Sequence, residues 1–156
     1  MSLLTANLVT AATDFSIVED HKDDNFYNFL LEKITSEAQQ HSHTAKVSPI
    51  LLRVINKQKE TIGGIAAYIF YGSLLIDILW VDKPYRRKGI GKALINYAES
   101  IAKKHNLNMI SVATMEFWEA LSFYKKLGFE IEFIKKGFND NFCQYFLVKK
   151  INNDNK

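Results

Sequence analysis

The residues best able to do chemistry lie between Asp82 and Lys92. There Arg86-Arg87-Lys88-Gly89-Ile90-Gly91-Lys92 follows a strongly apolar stretch, Leu74 to Val81, and opens an amphipathic one. A helix that starts near Gly89 presents N–H groups with no partner inside the helix, and its dipole is positive at that end. Gly89 and Gly91 have no side chain to keep an anion off the backbone. Arg86, Arg87, Lys88 and Lys92 add full positive charges. Such a turn is built to hold phosphate. The chain has 17 lysines but only three arginines, and two of the three are spent here.

Two common phosphate motifs do not fit. The P-loop requires Gly-Lys-Ser/Thr, and Lys92 is followed by Ala93. The dinucleotide fingerprint requires a third glycine, and position 94 is Leu. What remains is a pyrophosphate gripped at one strand-to-helix turn.

The elements that must position this turn follow from periodicity. Phe15 to Val18 alternates weakly and is expected to be a short strand. Phe26, Phe29, Leu30, Ile34 and Ala38 recur at helical spacing, which predicts an amphipathic helix over about 24–40. Three strands are expected next, at Ile50–Asn56, Thr61–Phe70 and Leu74–Val81, with turns at Gln58-Lys59 and Tyr71-Gly72-Ser73. The third is apolar on both faces except at Asp77, which predicts a central strand covered on both sides. A helix from about Gly89 to His105 buries Ile90, Leu94, Tyr97, Ala98, Ile101 and Ala102. Then come a strand at Met109–Thr114, a helix at Phe117–Leu127 ending at Gly128, and a terminal strand pair at Phe129–Ile134 and Phe142–Val148. An antiparallel meander combined with a strand-helix-strand crossover predicts an α+β fold, a mixed central sheet with helices on both faces.

Composition narrows the classes further. The 156 residues, 47% of them apolar and 24% charged, fit one soluble globular domain over 1–156, with a frayed tail at 152–156. A single cysteine, Cys143, excludes a disulfide scaffold and argues against a thiolate metal site. His41 and His43 lack a third ligand, so no metal is expected. No stretch of 18 or more apolar residues predicts a membrane span. The unpaired cysteine and the absence of a basic leader point to the cytoplasm. A net charge of +3, spread over scattered lysines, does not by itself call for a nucleic-acid partner.

Arg86-Arg87-Lys88-Gly89-Ile90-Gly91 resembles the Arg/Gln-x-x-Gly-x-Gly/Ala motif of the GCN5-related N-acetyltransferases. A second block, Ala120-Leu121-Ser122-Phe123-Tyr124-Lys125-Lys126-Leu127-Gly128-Phe129, resembles that family's Ala-x-x-Phe-Tyr-x-x-x-Gly-Phe segment. The two are sharp motifs within a resemblance of topology over roughly 50–150. Many members carry Asn three residues before the alanine, where this chain has Phe117.

The resemblance implies the acyl-CoA N-acyltransferase fold and acetyl-CoA as co-substrate. It implies that Arg86 to Lys92, Ile90 included, hold the pyrophosphate. It also implies that Leu79, Trp80 and Val81 end a strand splayed from its parallel neighbour, with pantetheine in the gap, and that their backbone N–H groups polarise the thioester carbonyl. Acetyl would pass to a primary amine by direct attack, with both substrates held together. Tyr124 is the expected acid for the departing thiolate, although a tyrosine on that apolar stripe also serves as core.

Asp77 is the expected base, directly or through water. It interrupts an apolar strand, and burial would raise its pKa. A structural Asp bonded to a neighbour is an equal alternative. Glu116, Glu119 and Asp77 would make the acceptor side acidic and favour a cationic amine, small-molecule or protein. Phe117, Trp118, Trp80, Tyr68 and Tyr71 could line it or simply pack.

Two other readings stay open. One is a non-catalytic acyl-CoA-binding or regulatory domain. The other is a toxin-type member that acetylates aminoacyl-tRNA, which would need a continuous basic face. The resemblance also allows a homodimer formed through C-terminal strands.

Overall fold

The computed structural model describes residues 17, 24–42, 47–118 and 120–152. Its elements are α1 (Asp24–Gln39), β1 (Ser48–Ile55), β2 (Thr61–Phe70), β3 (Ser73–Val81), α2 (Ile90–Lys104), β4 (Met109–Met115), α3 (Leu121–Lys126), β5 (Glu130–Lys135) and β6 (Gln144–Lys150). Together the strands form one mixed six-stranded sheet in the order β1-β2-β3-β4-β6-β5. Only β3 and β4 pair in parallel; every other neighbouring pair is antiparallel. The α+β class expected from the sequence is therefore the one observed.

Alternation decides which side of the sheet is core. Ile50, Leu52 and Val54 of β1 lie opposite Ala67, Ile65 and Gly63 of β2. Leu74 and Ile76 of β3 continue that layer to Ile110 and Val112 of β4, and Val112 reaches Leu147 of β6. Leu94, Ile95, Ala98 and Ala102 of α2 join the same buried cluster as Tyr124 of α3 and Phe129 just after it. So α2 and α3 share one core. Fully burying a Leu or Ile side chain contributes about 1.5–3 kcal/mol, and Leu74, Ile95, Ile110 and Leu147 are all wholly buried. An ion pair between Lys149 of β6 and Glu99 of α2 ties helix to sheet at its rim.

Several expectations need correction. In α1 the half-buried residues are Leu31, Thr35 and Ala38, whereas Phe26, Phe29, Leu30 and Ile34 are exposed. The expected helix over 117–127 is two pieces. A 3-10 turn spans Glu116–Trp118, and α3 starts only at Leu121. The last strand starts at Gln144 rather than Phe142, because Asp140 and Asn141 both take positive φ in the preceding turn. The expected strand near 15–18, apart from Ile17, lies outside the described residues, as do His43, Glu119 and the tail from 153 onward. Among the described residues no helix is long and apolar enough to cross a membrane, and no three His, Cys, Asp or Glu gather as metal ligands.

Candidate active site

β3 and β4 create the site by parting. They pair from Ser73–Met109 to Ile76–Val112 and no further, although β3 runs on to Val81 and β4 to Met115. Over Ile78–Val81 the strand stays paired with β2 on one edge. Its other edge turns toward the gap. Both strands run the same way, so their C-terminal ends stand side by side at the mouth of that gap.

A β-bulge sits where the strands part. Ala67 pairs with Ile76 and Ala66 with Ile78, which leaves Asp77 as the extra residue of β3. A bulge reverses which side chains face the core. Before it the core residues are Leu74 and Ile76; after it they are Leu79 and Val81. Leu75, Asp77, Ile78 and Trp80 are all exposed. This overturns the expectation that β3 is covered on both sides. It also removes the reason given for Asp77 as a base, since its carboxylate is not buried. The structural alternative loses support too, because Asp77 makes no hydrogen bond or ion pair with a described residue. A bulge leaves no trace in a pattern of apolar letters.

The turn after β3 is held by named contacts. Lys83–Tyr85 forms one 3-10 turn, and Asp82 N–H donates to the Ile62 carbonyl at 2.9 Å. Arg86 Nε–H donates to the Val81 carbonyl at 2.8 Å, folding the arginine back over the strand end. Lys88 Nζ lies 5.2 Å from the centre of the Tyr85 ring. Asn56 Nδ2 donates to the Tyr85 hydroxyl at 3.4 Å and to Glu60 Oε2 at 2.7 Å. Tyr85 and Asn56 were not singled out in the sequence. They are 29 positions apart, and no local spacing joins them.

Arg87 and Gly89 both take left-handed backbone angles, φ 61 and 84. For arginine that conformation costs roughly 1–2 kcal/mol, strain of a kind that collects at functional sites. Gly89 caps α2, and no side chain bonds to the first turn. The N–H groups of Ile90, Gly91 and Lys92 therefore have no helical partner. Space around Gly89 is open, with nothing within 4 Å of where a Cβ would stand. Free donors, an open approach and neighbouring cations suit the pyrophosphate of a coenzyme A ester.

Tyr124, the candidate acid, is buried in α3. It is 5% exposed, and its ring packs edge-on to Phe123 at 5.1 Å and to Phe129 at 5.4 Å. Burial pushes its hydroxyl pKa up from 10.0 to about 12. That hydroxyl makes no hydrogen bond to a described residue, yet it is not a sealed, unpaired polar atom. Its oxygen thus opens on accessible space as an unspent donor. The ring of Tyr124 is part of the core, as the packing alternative expected.

At the end of β4 the pairing with β6 continues one step past Met115–Gln144. Glu116 N–H donates to the Cys143 carbonyl at 2.9 Å, and Cys143 N–H donates to Glu116 Oε2 at 3.1 Å. Cys143 is half-buried. Phe117, Trp118 and Phe142 cluster just beyond, with ring centres 5.1 and 5.2 Å from that of Phe117.

Comparison with known proteins agrees with this geometry. The acetyltransferase (GNAT) domain model matches residues 49–131. The blasticidin-S acetyltransferase of Streptomyces morookaense is 30% identical over 93 residues, 59% of this chain and 68% of that protein. The matches span from 28% to 68% of the length of these curated relatives. An acetyltransferase from Bacillus cereus shares the fold at TM-score 0.70 and 23% identity, over 86% of this chain and 97% of that one. A Bacillus anthracis protein described as a streptothricin acetyltransferase, solved with acetyl coenzyme A, aligns at TM-score 0.61 and 27% identity over 67% and 63% of the two chains. With more than half of its residues inside the domain match, the parted strands and the glycine turn that follows them, this chain belongs to the GNAT acetyltransferase family.

Proposed function

We propose that the chain is an acetyl-CoA-dependent N-acetyltransferase acting on a primary amine, with both substrates bound together. The observation that carries this reading is the gap between β3 and β4, with the uncapped start of α2 at one side and the free Tyr124 hydroxyl belonging to α3. Acetyl-CoA supplies the acetyl group as a thioester, and the amine nitrogen attacks its carbonyl carbon.

The chain's own groups do the rest. N–H groups of Ile90, Gly91 and Lys92, with Lys88 and the two arginines, hold the pyrophosphate. Backbone of Leu79, Trp80 and Val81 facing the gap holds the pantetheine arm and donates to the carbonyl oxygen as charge builds there. Tyr124 O–H gives its proton to the departing sulfur. Asp77, exposed at the bulge, takes a proton through water from the acceptor's ammonium before the attack. The amine must be neutral when it attacks, and that relay supplies the neutral form.

The acceptor side is where the reading is least constrained, and an amine screen tests it. Acetyl-CoA is incubated with the protein and a panel of polyamines, aminoglycosides, arylalkylamines and lysine peptides, and free thiol is followed. Thiol release that depends on the amine is the expected result. Tight CoA binding without release for any amine would leave a binding domain in place of an enzyme. No saturable binding of CoA at high micromolar concentration would end the reading altogether.

A further inference from the structure

The mouth of the gap carries an aromatic surface that core packing does not explain. Trp118 is 69% exposed and Phe117 49%, while Phe142, in contact with Phe117, is half-buried. Phe117 sits between the other two, tilted at 50° to Trp118 and at 73° to Phe142. Large aromatic rings left facing water side by side mark a surface that something else covers.

Three features fix this surface relative to the chemistry. Glu116 directly follows β4, the strand that forms one wall of the gap, and opens the 3-10 turn that ends at Trp118. α3, which carries Tyr124, begins three residues after Trp118. The turn is also locked from behind, since Glu116 and Cys143 exchange two hydrogen bonds. Glu116 is exposed, and Oε2 is the oxygen that Cys143 engages. Oε1 accepts nothing from a described residue. A carboxylate oxygen beside exposed ring faces suits an ammonium attached to a flat group.

We propose that Trp118 and Phe117 form a stacking platform for the acceptor. The preferred acceptor is then a primary amine on a short arm from a planar aromatic ring, its ammonium drawn toward Glu116. This rests on the acetyl-transfer reading for its purpose but not for its test. A flexible polyamine would satisfy Glu116 and leave both rings bare. An arylalkylamine satisfies all three.

Phenethylamine and cyclohexylethylamine separate ring character from hydrophobicity. They carry the same ammonium and arm, and the saturated ring is the more apolar. Calorimetry on the protein with and without CoA should give phenethylamine about tenfold tighter binding, as expected of ring-ring contacts. Trp118→Ala should bring the ratio near one, while Trp118→Phe keeps it and CoA affinity stays unchanged. A ratio near one in the unaltered protein overturns the platform without any variant. So does a ratio that survives in Trp118→Ala. Ring preference without thiol release would keep the platform and defeat acetyl transfer. Thiol release with no ring preference would do the reverse.

Discussion

Gly91, in the first turn of α2, rests on the ring of Phe123 in α3. A Cβ at Gly91 would stand 3.2 Å from Phe123 Cζ and 3.3 Å from Cε2. The helix proposed to hold the phosphates and the helix that carries Tyr124 thus approach each other directly at these two residues. Phe123 in turn meets the Tyr124 ring at 5.1 Å. The second glycine of the motif does more than clear the way for an anion: it sets how near Tyr124 comes.

The two motif glycines should therefore fail differently. Gly91→Ala presses on a ring that can yield by a few tenths of an ångström. It should cost about 1 kcal/mol in stability and shift kcat, through Tyr124, more than CoA affinity. Gly89→Ala meets no neighbour, but it puts a Cβ at φ 84. It should cost about 1–2 kcal/mol and weaken CoA binding, because the free N–H groups move with the cap. Urea unfolding and CoA calorimetry on both variants check the contrast. Equal effects on kcat and Kd in both would refute it.

Tyr124→Phe keeps the ring and removes the proton. If the hydroxyl is the acid, kcat should fall about 10²-fold or more, with KM for acetyl-CoA little changed. The ring contacts to Phe123 and Phe129 persist in the variant, so a loss of folding is not the expected cause. Unchanged kcat across the pH range would take Tyr124 out of the acid role.

The same hydroxyl predicts a signature in stability. Its pKa is pushed up to about 12 in the folded chain, from 10.0 when exposed. Below pH 10 both states hold the proton, and the contribution is fully present. Between pH 10 and 12 the unfolded state releases the proton while the folded state keeps it. Unfolding then becomes easier as pH rises, by an amount on the order of 2–3 kcal/mol in all. Tyr124→Phe lacks this loss. Its stability relative to the unaltered chain should therefore improve from pH 9 to pH 11.5 in urea titrations. A constant difference would mean that Tyr124 titrates normally.

How much of this was legible in the letters depends on the kind of signal. A glycine turn rich in cations is a local pattern, so Arg86 to Gly91 stood out, and periodicity placed β1 to β4 and α2 within a few residues. Tyr124 stood out only through the block that contains it, and its place in the core follows from the apolar stripe on which it lies. Asp77 stood out as a break in an apolar strand, and the burial expected of it does not occur. Its bulge arises from pairing with β2, and pairing is a tertiary event that one strand's composition does not encode. Asn56 with Tyr85, and Glu116 with Cys143, were invisible for the same reason: each joins residues far apart in the chain.

Asp77 now permits a clean separation of function from stability. It is exposed and makes no bond with a described residue, so Asp77→Asn should leave stability within about 0.5 kcal/mol. If it relays the proton, kcat/KM should drop about 10²-fold, and the loss should shrink as pH rises and the free amine becomes abundant. A full-rate enzyme at pH 7 would remove Asp77 from the mechanism, and the relay would pass to water alone.

Arg86 and Arg87 are adjacent, equally charged and differently used. Arg86 Nε–H bonds the Val81 carbonyl at 2.8 Å, whereas Arg87 makes no bond with a described residue. Lysine keeps the charge at either position but cannot copy the planar donor of arginine. Arg86→Lys should therefore loosen the turn at the end of β3 and weaken CoA binding by about threefold to tenfold, the scale of one modest hydrogen bond. Arg87→Lys should change it less than twofold. Both keep the net charge at +3, so their salt dependence should match, and the gap between them should persist at high salt. If the two variants lose affinity equally, and both losses vanish in salt, the site uses Arg86 only as charge. The brace to Val81 would then play no part in holding the pyrophosphate.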